Sequence, residues 1–168
     1  TSVCGNIKFD IQLPRDLVER GHELGHRLSE GQGLVWVAAS THQGEEEQLL
    51  RAHASLTKSL PGAVLLLVPR HPERFDHVAG LCRKQGLTLH RRSEGLFPDS
   101  PCSVYLGDSM GELPLYYAAS DIAFVGGSLV PTGGHNLLEP AALSRPIITG
   151  PHVFNFAEIS GLLRQREA

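Results

Sequence analysis

The residues best suited to chemistry lie in one stretch towards the end of the sequence. A short apolar segment at 122–125 is followed by a glycine-rich loop, and the loop leads into a predicted helix that begins with Asn136 and Glu139. A helix N-terminus presents unpaired N–H groups and partial positive charge, and glycines let the backbone approach a ligand closely. The stretch therefore predicts a phosphate around residues 133–136, with backbone amides near Gly134 as donors. Glu139 is placed to accept hydrogen bonds from ribose hydroxyls.

Two further motifs lie where a predicted strand passes into a predicted helix. Arg70 follows one strand, and its planar fork of donors suits a phosphate or a base. The alternative is that Pro69 and Pro72 merely end one element and begin the next. Ser109 and Glu112 have the spacing of a capping box, which alone would explain both. Gly111 would then lie in the first helical turn, where glycine costs about 1 kcal/mol, and close approach of a ligand would account for it.

Asn136 and Glu139 could likewise be explained by helix capping, with Asn136 as the N-cap and Glu139 as its reciprocal partner, in place of ligand binding. The two roles are compatible, and we favour binding. Histidines at the same edge, including His42, His71 and His135, suit a role with phosphate or sugar. The nine histidines show no His-x-x-x-His pair, so no metal site is expected.

Other classes of function are disfavoured by composition and by absent motifs. The net charge of −3 argues against a nucleic-acid partner, and no basic run would hold the chain to anionic lipid. The glycine runs lack the lysine of a P-loop, and no Gly-x-Gly-x-x-Gly follows the first strand. The three cysteines are widely spaced and are interpreted as ordinary thiols of a reducing compartment.

The order of predicted elements is an alternation of strands and helices after an extended arm at 1–13. Alternation of this kind predicts an α/β fold, a Rossmann-like parallel sheet of about six strands with helices on both faces. Polar and glycine residues follow the strand ends, the edge at which such sheets bind ligands. The predicted strands are 34–39, 63–68, 87–90, 104–106, 122–125 and 146–149, and the predicted helices are 14–29, 45–60, 72–86, 111–119, 136–143 and a tail at 154–166.

Taken together, these motifs resemble the C-terminal domain of the 3-deoxy-D-manno-octulosonic acid (Kdo) transferases of lipopolysaccharide synthesis. The similarity follows one order along nearly the whole chain. The matching blocks are residues 5–10, 39–46, 69–74, 107–113, 121–128, 133–139, 150–152 and 155–156.

The resemblance implies the C-terminal half of a GT-B fold, with residues 1–30 as an interdomain linker arm and first helix and residues 31–168 as the nucleotide-sugar-binding domain. It implies an inverting glycosyltransferase that needs no metal or other cofactor and moves Kdo from CMP-Kdo to a lipid A precursor. Arg70 would bind the phosphate and Glu139 the ribose. The residues implied to contact CMP are Pro69, Arg70, Met110, Gly111, Glu112, Asn136, Leu137, Leu138 and Glu139.

The family also implies that the catalytic base, the acceptor contacts and the membrane anchor belong to an N-terminal domain, so no catalytic residue is expected here. This fragment is expected to be soluble and inactive alone, and the whole enzyme to lie at the cytoplasmic face of the inner membrane of a Gram-negative bacterium. Two alternatives remain open. One is a GT-B transferase or epimerase that uses UDP-sugars, and the other is a non-catalytic scaffold domain.

Overall fold

The computed structural model describes residues 13–31 and 33–165, which form six strands and six helices. Most of the predicted arm, Cys4 and the block at 5–10 lie outside the described residues. Short 3₁₀ turns occur at Pro72–Arg74, Arg92–Glu94 and Phe154–Phe156. The principal elements in chain order are α1 (Arg15–Leu28), β1 (Val35–Thr41), α2 (Glu46–Ser59), β2 (Val64–Pro69), α3 (Phe75–Lys84), β3 (Leu89–Arg91), β4 (Val104–Leu106), α4 (Leu113–Ala119), β5 (Ile122–Val125), α5 (Leu138–Ala142), β6 (Ile147–Thr149) and α6 (Ala157–Gln165).

The six strands form one sheet in the order β3-β4-β2-β1-β5-β6, and every neighbouring pair is parallel. The chain moves from β1 to β2 on one side and later returns to place β5 on the other side of β1. The connections after β1 and after β5 therefore leave the sheet in opposite directions, which opens a crevice at the carboxyl ends of the central strands.

The central strands are buried on both faces, because successive side chains of a strand point to opposite sides of the sheet. In β1, Val35, Val37 and Ala39 belong to one core cluster, with side chains from α1 and α4. Trp36 and Ala38 belong to the other cluster, with side chains from α2 and α3. The near-continuous apolar strands are thus explained by helices on both faces, as predicted.

Close packing of α1 against α4 depends on two glycines. A Cβ added to Gly21 would lie 2.5 Å from the carbonyl oxygen of Leu115, and one added to Gly25 would overlap the carbonyl of Ala119. Leu24 is fully buried between them. Because α1 shares its core with α4, it is part of the packed domain, and the predicted boundary at residue 30 stays a prediction.

The predicted elements are all present, with shifted ends. Strand β3 begins at Leu89 and not at residue 87, helix α4 begins at Leu113 and not at residue 111, and α5 has five residues in place of the predicted eight. Cys82 and Cys102 are free thiols, and burial raises the pKa of each to about 11, which makes neither a ready nucleophile. Among the described helices, none combines the length and apolar character needed to cross a bilayer.

Candidate functional site

A cavity of about 270 Å³ opens at the carboxyl edge of the sheet. The ends of β1 and β2 and the segments that follow β2, β4 and β5 contribute to its wall, as expected for a crevice at this edge of a parallel sheet. The volume is just below the usual range for ligand cavities, about 300–1,000 Å³. Six of the nine residues predicted to contact a nucleotide line this cavity, namely Pro69, Arg70, Met110, Gly111, Asn136 and Glu139.

Arg70 is held at the mouth of the cavity by its own backbone. Its amide N–H donates to the carbonyl of Thr41 at 3.0 Å, which ties the end of β2 to the end of β1. The residue is exposed, and its guanidinium forms no salt bridge with any residue in the described ranges. A positively charged fork is therefore left facing the space that a ligand would occupy.

Asn136 and Glu139 are bonded to each other beside the cavity. The Asn136 side chain accepts a hydrogen bond from the amide of Leu138 at 3.1 Å and donates to a Glu139 carboxylate oxygen at 3.4 Å. Burial raises the pKa of Glu139, against the opposing effect of the Asn136 hydrogen bond. Asn136 thus stabilises the turn before α5, and Glu139 keeps acceptor capacity towards the cavity.

The other three predicted residues do not line the cavity. Leu137 is buried at 3% exposure, and Leu138 begins α5. Glu112 instead accepts a hydrogen bond from Arg92 at 2.9 Å and one from the Ser109 hydroxyl at 2.6 Å. Burial alone would raise the pKa of Glu112, but these two hydrogen bonds together with the positive charges of Arg92 and Arg20 outweigh it and hold that pKa below its ordinary value. A role of Glu112 through its side chain would therefore be to fix the preceding loop.

The geometry of that loop corrects two expectations. Ser109 and Glu112 do not form a capping box, because their side chains bond directly to each other and the helix begins only at Leu113. Gly111 lies before the helix, with a φ of +77°, and not inside its first turn. A positive φ explains the glycine without a ligand. An added Cβ at Gly111 would nevertheless meet no atom within 4 Å, because this part of the backbone borders the cavity.

Several backbone amides of the glycine-rich loop after β5 are bonded to acceptors within the protein. The amides of Gly127, Ser128 and Leu129 donate to the carboxylate of Glu45 at 2.7, 3.0 and 2.9 Å. The amide of Gly134 donates to the carbonyl of Gly127 at 2.8 Å. The Gly134 amide therefore already has an acceptor within the protein and is not a free donor, while the expected phosphate around residues 133–136 stays a prediction.

Glu45 is the residue that sequence reasoning missed. Its side chain is fully buried, and it also accepts the amide of His42 at 2.9 Å. The sequence shows only an acidic first turn of α2, which is typical of helices in general. Nothing in the local pattern predicts that a carboxylate at 45 reaches a loop more than eighty residues away.

Three histidines gather beside the cavity. The Nε2 atoms of His42 and His135 lie 2.7 Å apart, and the rings of His42 and His71 meet edge to face with centroids 5.2 Å apart. Of the three, His135 lines the cavity. Among the described residues, no group of three or more His, Cys, Asp and Glu side chains is arranged to hold a metal ion.

The remaining lining residues were only partly anticipated. Ser40 lies at a predicted strand end, but its left-handed conformation (φ of +54°) and the register shift of β1 beside it leave no mark in the sequence. Tyr117 is a buried residue of α4 that also lines the cavity. The lining residues that were not among the nine are Ser40, Val68, Ser109, Leu113, Tyr117 and His135.

The chain is similar to proteins of known function. No family model matches the chain. It is 50% identical over 162 residues to the 3-deoxy-D-manno-octulosonic acid transferase of Haemophilus influenzae, which covers 96% of this chain and 38% of that protein. The transferase of Bordetella pertussis is 42% identical over 94% of this chain and 37% of its own length.

A solved structure decides the family. The crystal structure of the C-terminal CMP-Kdo binding domain of WaaA from Acinetobacter baumannii superposes with a TM-score of 0.85 at 43% identity, covering 92% of this chain and 81% of that domain. The chain belongs to the Kdo transferase family. Within that family it corresponds to the C-terminal domain of the GT-B fold, as the resemblance of its motifs predicted. It spans less than two fifths of the length of the two curated transferases.

Proposed function

We propose that this chain is the donor-binding domain of an inverting glycosyltransferase that moves Kdo from CMP-Kdo to a lipid A precursor. The observation that carries the proposal is the cavity itself. Side chains from three separate sequence motifs meet there, and the surrounding fold matches that of the CMP-Kdo binding domain of WaaA.

Within this proposal, the exposed guanidinium of Arg70 binds the phosphate of CMP. That phosphate gains negative charge as the bond to the sugar breaks, and a fixed positive group stabilises the developing charge. Glu139 accepts hydrogen bonds from the ribose hydroxyls, and Asn136 holds the Glu139 carboxylate in place. Pro69, Met110 and Gly111 shape the walls, while Glu112, Leu137 and Leu138 support them from behind.

We further propose that the general base and the acceptor contacts come from a preceding domain of the whole enzyme, which would also carry its attachment to the cytoplasmic face of the inner membrane. The chain alone would then bind the donor without transferring it. No metal is assigned a role in the proposed reaction, so binding of CMP should be unchanged by EDTA.

Calorimetric titration of the chain with CMP, UDP and cytidine tests the proposal. CMP should bind saturably and more tightly than UDP. Arg70→Ala should weaken binding of CMP about ten- to a hundredfold, because a charge-assisted hydrogen bond contributes about 1.5–3 kcal/mol and each 1.4 kcal/mol is tenfold. Arg83→Ala, a change at an exposed arginine of α3, is the matched control and should bind as the wild type does.

Glu139→Gln should weaken CMP binding more than it weakens binding of 2′,3′-dideoxy-CMP, because the lost carboxylate is assigned to the ribose hydroxyls. Tighter binding of UDP than of CMP would favour the alternative of a UDP-sugar enzyme. Absence of saturable binding by any of these nucleotides would favour a scaffold domain. Either result would contradict the proposed donor site.

A further inference from the structure

The pair formed by His42 and His135 joins two distant parts of the chain at the cavity wall. Their Nε2 atoms are 2.7 Å apart, whereas the ring centroids are 5.0 Å apart and the ring planes differ by only 12°. The rings therefore meet edge to edge through their Nε2 atoms and are not stacked face to face. A distance of 2.7 Å is that of a strong hydrogen bond, so one Nε2 carries a proton and the other accepts it.

This arrangement fixes how many protons the pair can take. In the neutral pair, the ring that donates through Nε2 has a bare Nδ1, and the ring that accepts carries its proton on Nδ1. One added proton can go to the bare Nδ1 without disturbing the Nε2–H···Nε2 bond. A second would place protons on both Nε2 atoms and break it. The pair is thus built to carry one positive charge, with both Nδ1 atoms then acting as donors.

The surroundings oppose that charge when no anion is present. Burial, His42 and Arg70 lower the pKa of His135 to about 4, with Glu45 opposing them and His71 adding to them. Burial also lowers the pKa of His42, assisted by His71, Arg70 and Arg74 and opposed by Glu45. The negative charge of Glu45 is already engaged by four backbone amides, and Arg74 is paired with Glu46 at 3.1 Å.

An anion entering beside Arg70 would change this balance, because a nearby opposite charge favours the protonated form of histidine. We propose that the His42–His135 pair is a second anion-binding element of the cavity, and that it takes up one proton when the phosphate of the nucleotide binds. This inference rests on the proposed function, since it deepens the same site. Arg70 supplies a permanent charge, and the histidine pair supplies a charge that exists only while the anion is bound.

Proton uptake can be measured directly on the wild-type chain. The probe is the methyl ester of CMP, a phosphodiester that has no titration of its own near neutral pH, and cytidine is the uncharged control. Calorimetry in two buffers of different ionisation enthalpy at pH 6.5 should give uptake of about half a proton for the ester and none for cytidine, if the bound pair has the ordinary histidine pKa of about 6.5. The affinity for the ester should then be about tenfold higher at pH 5.5 than at pH 7.5.

Two variants assign the effect to the pair. The double variant His42→Gln/His135→Gln keeps side chains able to donate and accept hydrogen bonds but removes both titrating rings, so its affinity for the ester should be lower at pH 5.5 and should change little with pH. His77→Gln, at an exposed position of α3, is the matched control and should keep the wild-type pH dependence. If the double variant does not fold, NMR titration of the histidine ring protons in the wild type, with and without the ester, still shows whether the pKa of the pair rises.

The outcomes separate the two proposals. Saturable binding of the ester without proton uptake, or with a pH dependence that the double variant retains, would overturn the inference and leave the donor site standing. Absence of binding by both CMP and its ester would instead overturn the proposed function on which the inference rests.

Discussion

Replacement of Glu45 by glutamine tests how the cavity is held together. The carboxylate of Glu45 accepts four backbone amides, those of His42, Gly127, Ser128 and Leu129, at 2.7–3.0 Å. It therefore fastens the end of β1 to the loop after β5, the two connections that diverge from the centre of the sheet. Glutamine has nearly the same shape, so the change removes acceptor capacity and charge without opening a space.

The magnitude follows from the number of amides that lose a partner. Glutamine keeps one oxygen, which can accept two of the four N–H groups, and presents an NH₂ group to the other two. A buried donor left without an acceptor costs about 1–3 kcal/mol, so two of them cost about 2–6 kcal/mol. Since domains of this kind are stable by only about 5–15 kcal/mol, Glu45→Gln should remove a large share of the total.

Urea denaturation of the wild type and of Glu45→Gln measures the difference in unfolding free energy. Hydrogen exchange should show faster loss of the amide protons of Gly127 and Ser128 in the variant. Glu19→Gln, at an exposed position of α1, is the matched control and should change stability by no more than about 0.5 kcal/mol. A free energy for Glu45→Gln within that same margin, with amide exchange unchanged, would refute the role given to this carboxylate.

Three further predictions follow from the packing and the buried groups. Gly25→Ala should destabilise the fold by about 1–3 kcal/mol in urea denaturation, because its Cβ would overlap the carbonyl of Ala119. Gly80→Ala is the control and should be neutral or stabilising, because a Cβ there meets no neighbouring atom; equal effects of the two changes would contradict the packing argument. Burial lowers the pKa of His53, so the unfolded chain takes up a proton at a higher pH than the folded chain does, and stability should fall as the pH drops from about 6.5 towards the lowered pKa. His53→Asn should flatten the dependence of the urea midpoint on pH, and an unchanged slope would contradict this. Gly111→Ala should cost about 1–2 kcal/mol of stability because of its positive φ, and its Cβ should also weaken CMP binding in calorimetry; unaltered stability would contradict the conformational argument.

The element order could be predicted because each signal was local. The apolar run at β2 has strand length and is bounded by Gly62 and Pro72, and the helices are marked by apolar spacing and by stops such as Gly86. The ends were less predictable where tertiary contacts decide them. Helix α4 was expected two residues too early, because Ser109 and Glu112 bond to each other and to neighbouring side chains instead of capping it.

The position of the site could also be predicted, since the carboxyl ends of parallel strands share one edge and Arg70, Gly111 and Glu139 all follow such ends. The side-chain contacts within the site could not be predicted. The contacts of Glu45 with the loop at 127–129, and of His42 with His135, join residues far apart in sequence. No local pattern distinguishes a glutamate that begins a helix from one that crosses to another loop.

The glycines of the loop illustrate why a glycine-rich segment after a strand does not by itself indicate a phosphate site. A Cβ on Gly126 would lie 2.5 Å from the carbonyl oxygen of Ser40, and one on Gly150 would overlap the carbonyl of Ser128. These glycines let neighbouring strand ends approach each other, and the amides of the same loop are satisfied by Glu45. The amides of Gly127, Ser128 and Leu129, together with that of Gly134, are therefore not available to the phosphate of the proposed donor site. In that proposed site, Arg70 supplies a permanent charge and the His42–His135 pair a charge that appears with the anion, so binding should depend on Arg70 and, through the histidines, on pH.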